Sequence, residues 1–144
     1  ISVDNIQAVD PEMGIKDLSV KFAKTESCDI YKSSWMEKFG EWKHVYCTDN
    51  LNRGGKLTWT LAVNTPGVYH LEVKARGKGR VVWKAETDEG YAIQNQQGVS
   101  DIFCNRPIGW IRIDKAGTHT ITVKQLEGGA VDLSSITLVP VAFE

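Results

Sequence analysis

Hydrophobic and polar residues alternate along most of the chain after about residue 55. Residues 56–64 (KLTWTLAVN) place leucine, tryptophan and valine on one face and mostly threonine on the other. Residues 68–76 repeat the pattern, and their inward face carries Tyr69, Leu71, Val73 and Ala75. A period of two is typical of a strand with one face in a core and one face in water. We therefore predict two half-buried strands here.

Further short strands with glycine or proline turns between them are predicted to the end of the chain. They cover residues 81–86, 110–113, 119–126 and 130–141, with a short additional strand at 91–93. The amide-rich run that follows, residues 94–98, is predicted to be a loop. Strands of this length and spacing favour an all-β fold, and specifically an antiparallel β-sandwich of jelly-roll type.

The parity of each tryptophan within its strand predicts whether its side chain is buried. Trp59 and Trp83 share a face with aliphatic neighbours and are predicted to lie in the core. Trp110 lies opposite Ile111 and Ile113, so it is predicted to point away from the face that they bury. Arg112 shares the outward side with Trp110.

The first 50 residues are less regular than the segment that follows. Ser34 and Glu37 have the spacing of a helix capping box. Trp35, Phe39 and Trp42 follow at helical spacing, so a short helix is one prediction for this segment. An irregular aromatic segment is the other, because Gly40 lies inside the pattern.

Length and charge limit the classes of function. The chain has 144 residues, which fits one domain spanning residues 1–144. Its formal net charge is −1, so no long-range attraction to nucleic acid or to an anionic membrane is expected. No apolar run approaches the length of a membrane span. Because the sequence does not begin with methionine, we expect an excised or mature module of a longer protein.

Few residues suggest catalysis. Cys47 as a nucleophile with His44 as its base is only a weak candidate for a catalytic pair. The common metal, phosphate and serine-nucleophile motifs are absent from the sequence. Asp88 and Glu89 are adjacent in a turn, where acids are usually solvated. Buried free thiols are the simplest interpretation of the odd cysteine count, although one disulfide is also compatible with it. We therefore expect a module that is not itself an enzyme.

The run VVWKAETDEGYAIQNQQG at residues 81–98 is more distinctive than a generic strand and turn. It resembles the β-sandwich accessory modules of some bacterial α-L-fucosidases. The closing residues 116–140, with the turn at 66–69, are similar to carbohydrate-binding modules of the galactose-binding-like jelly-roll superfamily. The resemblance covers residues 54–140, which we take as the recognisable core. It does not extend to residues 1–50.

The resemblance implies a non-catalytic carbohydrate-binding accessory module of a glycoside hydrolase, α-L-fucosidase-like in its parent enzyme. A secreted, periplasmic or cell-surface location in bacteria is then expected. The implied partners are a glycan and the catalytic domain of the same parent chain. The alternative is a structural accessory domain that packs on the catalytic domain without binding sugar, with Trp35, Phe39 and Trp42 as its interface patch.

A sugar site needs an exposed aromatic plate with a few polar groups beside it. Trp110 and Arg112 satisfy this as an outward pair on one strand. The remaining candidates combine aromatic rings with amides outside the regular core strands. The predicted carbohydrate-binding residues are therefore Trp110, Arg112, Tyr91, Asn95, Gln96 and Trp42.

Many modules of this kind carry a structural calcium held by an N-terminal Glu-x-Glu and an aspartate in the last strand. Asp132 is placed to match that aspartate. The Glu-x-Glu motif is absent, and the nearest acids are Asp10 and Glu12. No cofactor is therefore predicted, and Asp132 is only a weak candidate for a calcium ligand.

Overall fold

Extended strands make up nearly all of the regular structure in the computed structural model, which describes residues 6–9, 16–37, 40–49, 51–63 and 65–141. The strands are β1 (Ile6–Val9), β2 (Lys16–Ser19), β3 (Lys24–Glu26), β4 (Asp29–Glu37), β5 (Glu41–Asp49), β6 (Lys56–Val63), β7 (Gly67–Gly77), β8 (Arg80–Thr87), β9 (Ala92–Gly98), β10 (Cys104–Ile113), β11 (Gly117–Glu127) and β12 (Val131–Pro140). Two single-turn 3₁₀ helices occupy Val20–Phe22 and Leu51–Arg53.

These strands form two large sheets and a separate hairpin. The first sheet has the order β1-β6-β11-β8-β9, and β3 pairs with β6 on the same edge as β1. The second sheet has the order β10-β7-β12-β2, and β4 pairs with β5 to make the hairpin. All pairs are antiparallel except β1 with β6, which is parallel. The all-β sandwich that the alternation predicts is therefore confirmed.

The core lies between the two large sheets and is built from the inward positions of each strand. Trp59 and Trp83 are fully buried, as their parity predicts, and Leu71 faces them from the second sheet within the same cluster. The indole Nε1 of Trp59 donates to the carbonyl of Ser19 at 2.9 Å, so burial costs it no hydrogen bond. The predicted inward face of β7 is also confirmed.

The predicted helix near residue 34 is wrong, and so is the alternative of an irregular segment, because these residues form the β4–β5 hairpin. Residues 34, 35 and 36 pair in antiparallel register with residues 44, 43 and 42. Gly40 adopts a positive φ of 83°, which a turn between strands tolerates and a helix does not. Short aromatic segments fit both a helical and a strand period, and pairing with a second strand decided between them. Phe39 lies outside the described residues.

The predicted loop at residues 94–98 is also wrong. These residues extend the short predicted strand into β9, which pairs with β8 from Ala92 to Gly98. Their polarity reflects an edge strand with one outward face, because an edge strand buries less than a central one. The strand predicted at 110–113 likewise begins earlier, at Cys104.

All three cysteines are free thiols.

A tight turn between β11 and β12 gives a direct test of this packing. Gly128 has a φ of +118°, and a Cβ there lies 2.7 Å from the Arg80 carbonyl oxygen and 2.8 Å from Cγ1 of Val81. Gly128→Ala should therefore lower the free energy of unfolding by about 2 kcal/mol or more, through both strain and overlap. The measurement is urea unfolding followed by tryptophan fluorescence.

Gly129→Ala is the matched control, because a Cβ at Gly129 has no atom within 4 Å. We expect that variant to unfold within about 0.5 kcal/mol of the wild type, as surface substitutions usually do. Equal stability of the two variants would contradict the packing described for this turn.

Candidate functional site

The outer face of the second sheet carries a line of polar side chains along β7. His70, Glu72, Lys74 and Arg76 occupy alternate positions, so they point away from the core. Trp110 of β10 lies directly opposite His70 in the pairing register, so the two side chains share this face. The face is therefore a continuous surface that runs from Trp110 toward the end of β7.

A groove of about 540 Å³ lies at the Arg76 end of this face. We call it the outer-face groove. The β4–β5 hairpin supplies one wall, the segment between β9 and β10 supplies the other, and β7 supplies the floor. The lining residues are Trp35, Lys43, His44, Val45, Lys74, Arg76, Asp101, Ile102 and Phe103.

Two aromatic rings meet across the groove from its opposite walls. The rings of Trp35 and Phe103 are stacked, with centroids 6.0 Å apart and an angle of 27° between their planes. Trp35 shares the sheet-facing side of β4 with Ser33, because the two are separated by two positions. The strand period thus directs Trp35 into the groove, where it provides an apolar surface beside polar floor residues.

Arg76 holds the hairpin against the sheet. Its Nε donates to Oδ2 of Asp132 at 2.9 Å, and its Nη2 donates to Oγ of Ser33 at 2.9 Å. The guanidinium also lies 4.6 Å from the centroid of the Phe103 ring, within the range of a cation–π contact. One side chain therefore contacts the hairpin, β12 and the second wall of the groove.

Tyr31 continues this network under the hairpin. Nη2 of Arg76 lies 3.4 Å from the Tyr31 hydroxyl. Burial, followed by hydrogen bonding to Cys47, raises the pKa of Tyr31 to about 12. Cys47 is itself fully buried, and burial is the largest cause of its raised pKa. The tyrosine hydroxyl and the thiol are thus protonated at neutral pH and act as structural groups.

The remaining charges of the groove differ in how they are paired. Lys43 forms an ion pair with Glu41 at 2.8 Å, and both side chains are about half exposed. Within the described residues, Lys74 forms neither an ion pair nor a side-chain hydrogen bond. Asp101 places one carboxylate on the wall opposite Lys43. The groove therefore offers both hydrogen-bond donors and an acceptor.

Trp110 and Arg112 point outward from β10, as the sequence predicts. Trp110 is 59% exposed, and His70 lies edge-on to it with ring centroids 6.4 Å apart. Arg112 Nε donates to Oδ1 of Asp114 at 2.8 Å on an exposed surface. Trp110 shares its sheet face with the outer-face groove, although it does not line it.

Three other predicted sugar-binding residues, Tyr91, Asn95 and Gln96, do not line the outer-face groove. Tyr91 is exposed beside the β8–β9 turn. Asn95 pairs with buried Trp83, so it faces inward, where its Oδ1 accepts from Gln97. Gln96 points outward from the other large sheet, in a shallow depression with Val82. Asn95 and Gln96 line this one depression, but the structure does not bring them or Tyr91 into one site with Trp110.

Trp42 lies on the side of the hairpin opposite to Trp35. It is 55% exposed and pairs across the hairpin with Met36, which is 56% exposed. The predicted interface patch is therefore divided, because Trp35 faces the groove and Trp42 faces away from it.

Asp132, the weak candidate for a calcium ligand, already contacts another side chain. Its carboxylate accepts from Arg76, as given above, and the described part of the chain has no group of three His, Cys, Asp or Glu placed to share a metal. Asp10 and Glu12 lie outside the described residues. His44 and Cys47 do not form a catalytic pair either, because they lie on opposite faces of β5, where His44 Nδ1 contacts Oγ of Ser34 at 2.7 Å.

A separate network fixes the turns at the far end of the sandwich. His119 Nδ1 lies 3.0 Å from Oδ1 of Asp88, and its Nε2 contacts the carbonyl oxygen of Lys115. Both partners are acceptors, so both ring nitrogens donate only when the imidazole is protonated. Burial lowers the pKa of His119, but the hydrogen bonds to Lys115 and Asp88 outweigh it, so the pKa is raised.

The sequence pattern does not identify the residues that build the outer-face groove. The alternation along residues 68–76 directs Lys74 outward, but it contains no sign that a hairpin covers this end of β7. Trp35 and Phe103 are far apart in the chain and meet only through that hairpin. A strand prediction for residues 29–37 would have placed Ser33 and Trp35 on one face.

The sandwich is similar to solved structures of carbohydrate-active proteins. The GH26-CBM35 β-(1,4)-mannanase of Podospora anserina matches with a TM-score of 0.73 and 18% identity, over 91% of this chain and 28% of that chain. A family 35 carbohydrate-binding module from Clostridium thermocellum matches with a TM-score of 0.69 and 8% identity, over 88% of this chain and 98% of that chain. The exo-β-1,3-galactanase of Phanerochaete chrysosporium matches with a TM-score of 0.66 and 15% identity, over 87% of this chain and 29% of that chain.

These similarities establish the fold. The mosquito-larvicidal Cry4Aa toxin of Bacillus thuringiensis shares it too, with a TM-score of 0.70 and 8% identity over 99% of this chain and 26% of that chain. No family model matches the sequence, and no curated protein matches it. The chain spans less than a third of the mannanase, galactanase and toxin chains. In the part of the chain that the structure describes, no helix has the length and hydrophobicity of a membrane span.

The protonated state of His119 predicts how stability depends on pH. Because its pKa is higher in the folded chain, its contribution is complete below the unfolded value of about 6.5 and is lost as pH rises through the folded value. The free energy of unfolding should therefore fall from slightly acidic to alkaline pH. Asp88→Asn should reduce this decrease, because it removes the charge that favours the imidazolium. Urea unfolding at several pH values between 5 and 9 measures the effect.

His70→Gln is the control for this prediction. His70 has no ion pair among the described residues, so its variant should keep the wild-type slope of stability against pH. A wild-type stability that rises with pH over this range would contradict the assignment of His119.

Proposed function

We propose that this chain is a non-catalytic carbohydrate-binding accessory module whose glycan lies on the outer face of the second sheet. The observation that carries the proposal is the outer-face groove, in which stacked Trp35 and Phe103 face the polar side chains of β7. The sandwich that holds the groove has the fold of a family 35 carbohydrate-binding module, which supports the same class of function. Fold alone does not assign function, so the argument rests on the site.

The groove has the mixture of surfaces that a sugar ring requires. A pyranose presents C–H groups on its faces and hydroxyls at its edge, so it packs on an aromatic ring while its edge makes hydrogen bonds. Trp35 and Phe103 supply the apolar surface. Lys74 and Arg76 supply donors, and Asp101 supplies an acceptor. These are the few placed polar groups that orient a ligand within an apolar pocket.

Trp110 extends the proposed binding surface beyond the groove. From His70, its neighbour, to Arg76 there are six residue-to-residue steps along β7, or about 20 Å at about 3.4 Å per step. That length suits an oligosaccharide, with one ring in the groove and another on Trp110. Arg112 is the adjacent donor once its exposed ion pair with Asp114 opens. Such pairs contribute little stability, so exchange with a ligand costs little.

Such a module acts by holding its parent enzyme close to the glycan. A shallow, hydrated site gives modest affinity, because little of the ligand is immobilised by deep burial. Covalent attachment to a hydrolase then raises the local concentration of the catalytic domain on the glycan. An α-L-fucosidase-like parent enzyme and a secreted, periplasmic or cell-surface location complete the proposal. They are supported by the resemblance of residues 81–98 and stay predictions.

The two tryptophans of the hairpin provide the test. Trp35→Ala should weaken binding of any recognised glycan about tenfold, which corresponds to about 1.4 kcal/mol, because it removes the apolar wall of the groove. Trp42→Ala is the matched control on the opposite side of the same hairpin, and we expect its affinity to stay within about twofold of wild type. Isothermal titration of the intact chain against fucosylated, galactosylated and plant-wall oligosaccharides measures both.

Absence of heat and of any tryptophan fluorescence change with every glycan would overturn the proposal. Equal losses in Trp35→Ala and Trp42→Ala would contradict the location of the site.

A structural docking module is the second candidate function. It is favoured by the Met36 and Trp42 pair, which exposes more than half of each side chain on the outer side of the hairpin. Exposed neighbouring apolar side chains of this size often mark a contact surface. Under this candidate, Met36→Ser combined with Trp42→Ser should disrupt the packing of the module on the catalytic domain of its parent chain and expose the connecting segment to protease. Limited proteolysis of the full-length protein measures the release, with Trp110→Ser as the surface control.

A further inference from the structure

We propose that the outer-face groove selects anionic saccharides, and that Lys74 is the residue that recognises the charge. This inference rests on the proposed function and narrows its ligand to sugars that carry a carboxylate or a sulfate group. The two sources share the chemistry that the groove would read, a compact anion at the edge of a sugar ring.

Lys74 lies on the groove floor among neutral cross-strand neighbours. Its partner on β10 is Asn105, and its partner on β12 is Ser135. Side chains at such paired positions are the ones that come closest across a sheet. Neither of them is a carboxylate, so the sheet itself provides no counter-ion directly beside the ammonium. Glu72 is two positions along β7 and forms no ion pair with Lys74 among the described residues.

The other cations of the groove already have counter-ions. Arg76 is held by Asp132 with only about a quarter of each side chain exposed, so its charge is balanced and its position is fixed. Lys43 pairs with Glu41 in an exposed contact that solvent screens. Among the described residues, Lys74 is thus the groove cation that a ligand can approach without breaking an existing contact. Lys43 is the next most available cation, because its ion pair with Glu41 is exposed.

Asp101 determines what kind of anion fits. Its carboxylate lines the same groove, so a densely charged polyanion would meet repulsion there. A sugar with one charged group avoids this by placing the anion at Lys74 and a hydroxyl at Asp101, which accepts hydrogen bonds. The stacked rings of Trp35 and Phe103 require an apolar ring face beside the charge. A sugar with one charged group offers an anion to Lys74, a hydroxyl to Asp101 and an apolar face to the aromatic rings. A free inorganic anion offers only the charge for Lys74.

The test compares matched ligands that differ by one charged group. Galacturonate and its methyl ester provide the carboxylate arm, and galactose 6-sulfate with galactose provides the sulfate arm. Titration of the intact chain at low salt should show about tenfold tighter binding of the charged form in at least one arm. Raising the salt to about 0.5 M should remove most of that difference, because partly exposed charges are screened.

Variants at one position assign the preference to Lys74. Lys74→Gln should lower affinity for the charged form about tenfold and change affinity for the neutral form by less than about twofold, because only the charge attraction is lost. Lys74→Arg should keep most of the affinity. Lys84→Gln is the control, since Lys84 has intermediate exposure like Lys74 but lies on the outer face of the other sheet. Unfolding curves of each variant check that the fold is intact.

The outcomes separate this inference from the proposed function. Equal binding of charged and neutral forms in both arms would overturn the inference and keep the glycan-binding function. Equal effects of Lys74→Gln and Lys84→Gln would overturn the role of Lys74. Failure of every saccharide, charged or neutral, would overturn both. A preference in one arm alone supports the inference and identifies the anion.

Discussion

The groove depends on how Arg76 holds the β4–β5 hairpin against the sandwich. A two-stranded hairpin is marginal on its own in water, so it needs contacts to a larger body. Arg76 supplies them from the end of β7, through Asp132 on β12, Ser33 on the hairpin and the face of Phe103. A planar guanidinium with several donors can bind three partners at once, which a lysine ammonium does less well. The buried Thr48 hydroxyl reinforces the attachment by accepting from the backbone N–H of Leu133 at 3.0 Å.

This attachment makes one face of a common fold different from the other. The same sandwich occurs in glycan-active proteins and in a larvicidal toxin, so the framework sets no function. In this chain, aromatic rings lie beside Lys74 and Asp101 on the outer face of the second sheet. The first sheet presents mainly polar outward residues, and its depression near Gln96 has no aromatic wall.

The core strands were predictable and the hairpin was not. Trp59, Trp83 and Trp110 have the exposures that their parity predicts, because burial of one sheet face fixes the side on which each residue lies. Trp35 and Trp42 are seven residues apart, which suits one face of a helix and opposite faces of a strand. Nothing within the segment separates these possibilities. The amides of β9 were misleading for a related reason, since an edge strand needs fewer apolar residues than a central one.

The sequence by itself determined which residues enter the core and which face outward, because side-chain direction alternates along a strand whatever its partner. It also determined the class of fold, through the spacing of strands and turns. Only the tertiary structure decided which outward residues meet. Trp35, Lys74, Asp101 and Phe103 come from separate segments, and they form one groove because sheet pairing and the docked hairpin bring those segments together. Local periodicity contains no information about such contacts, since they depend on the register of strands distant in the chain.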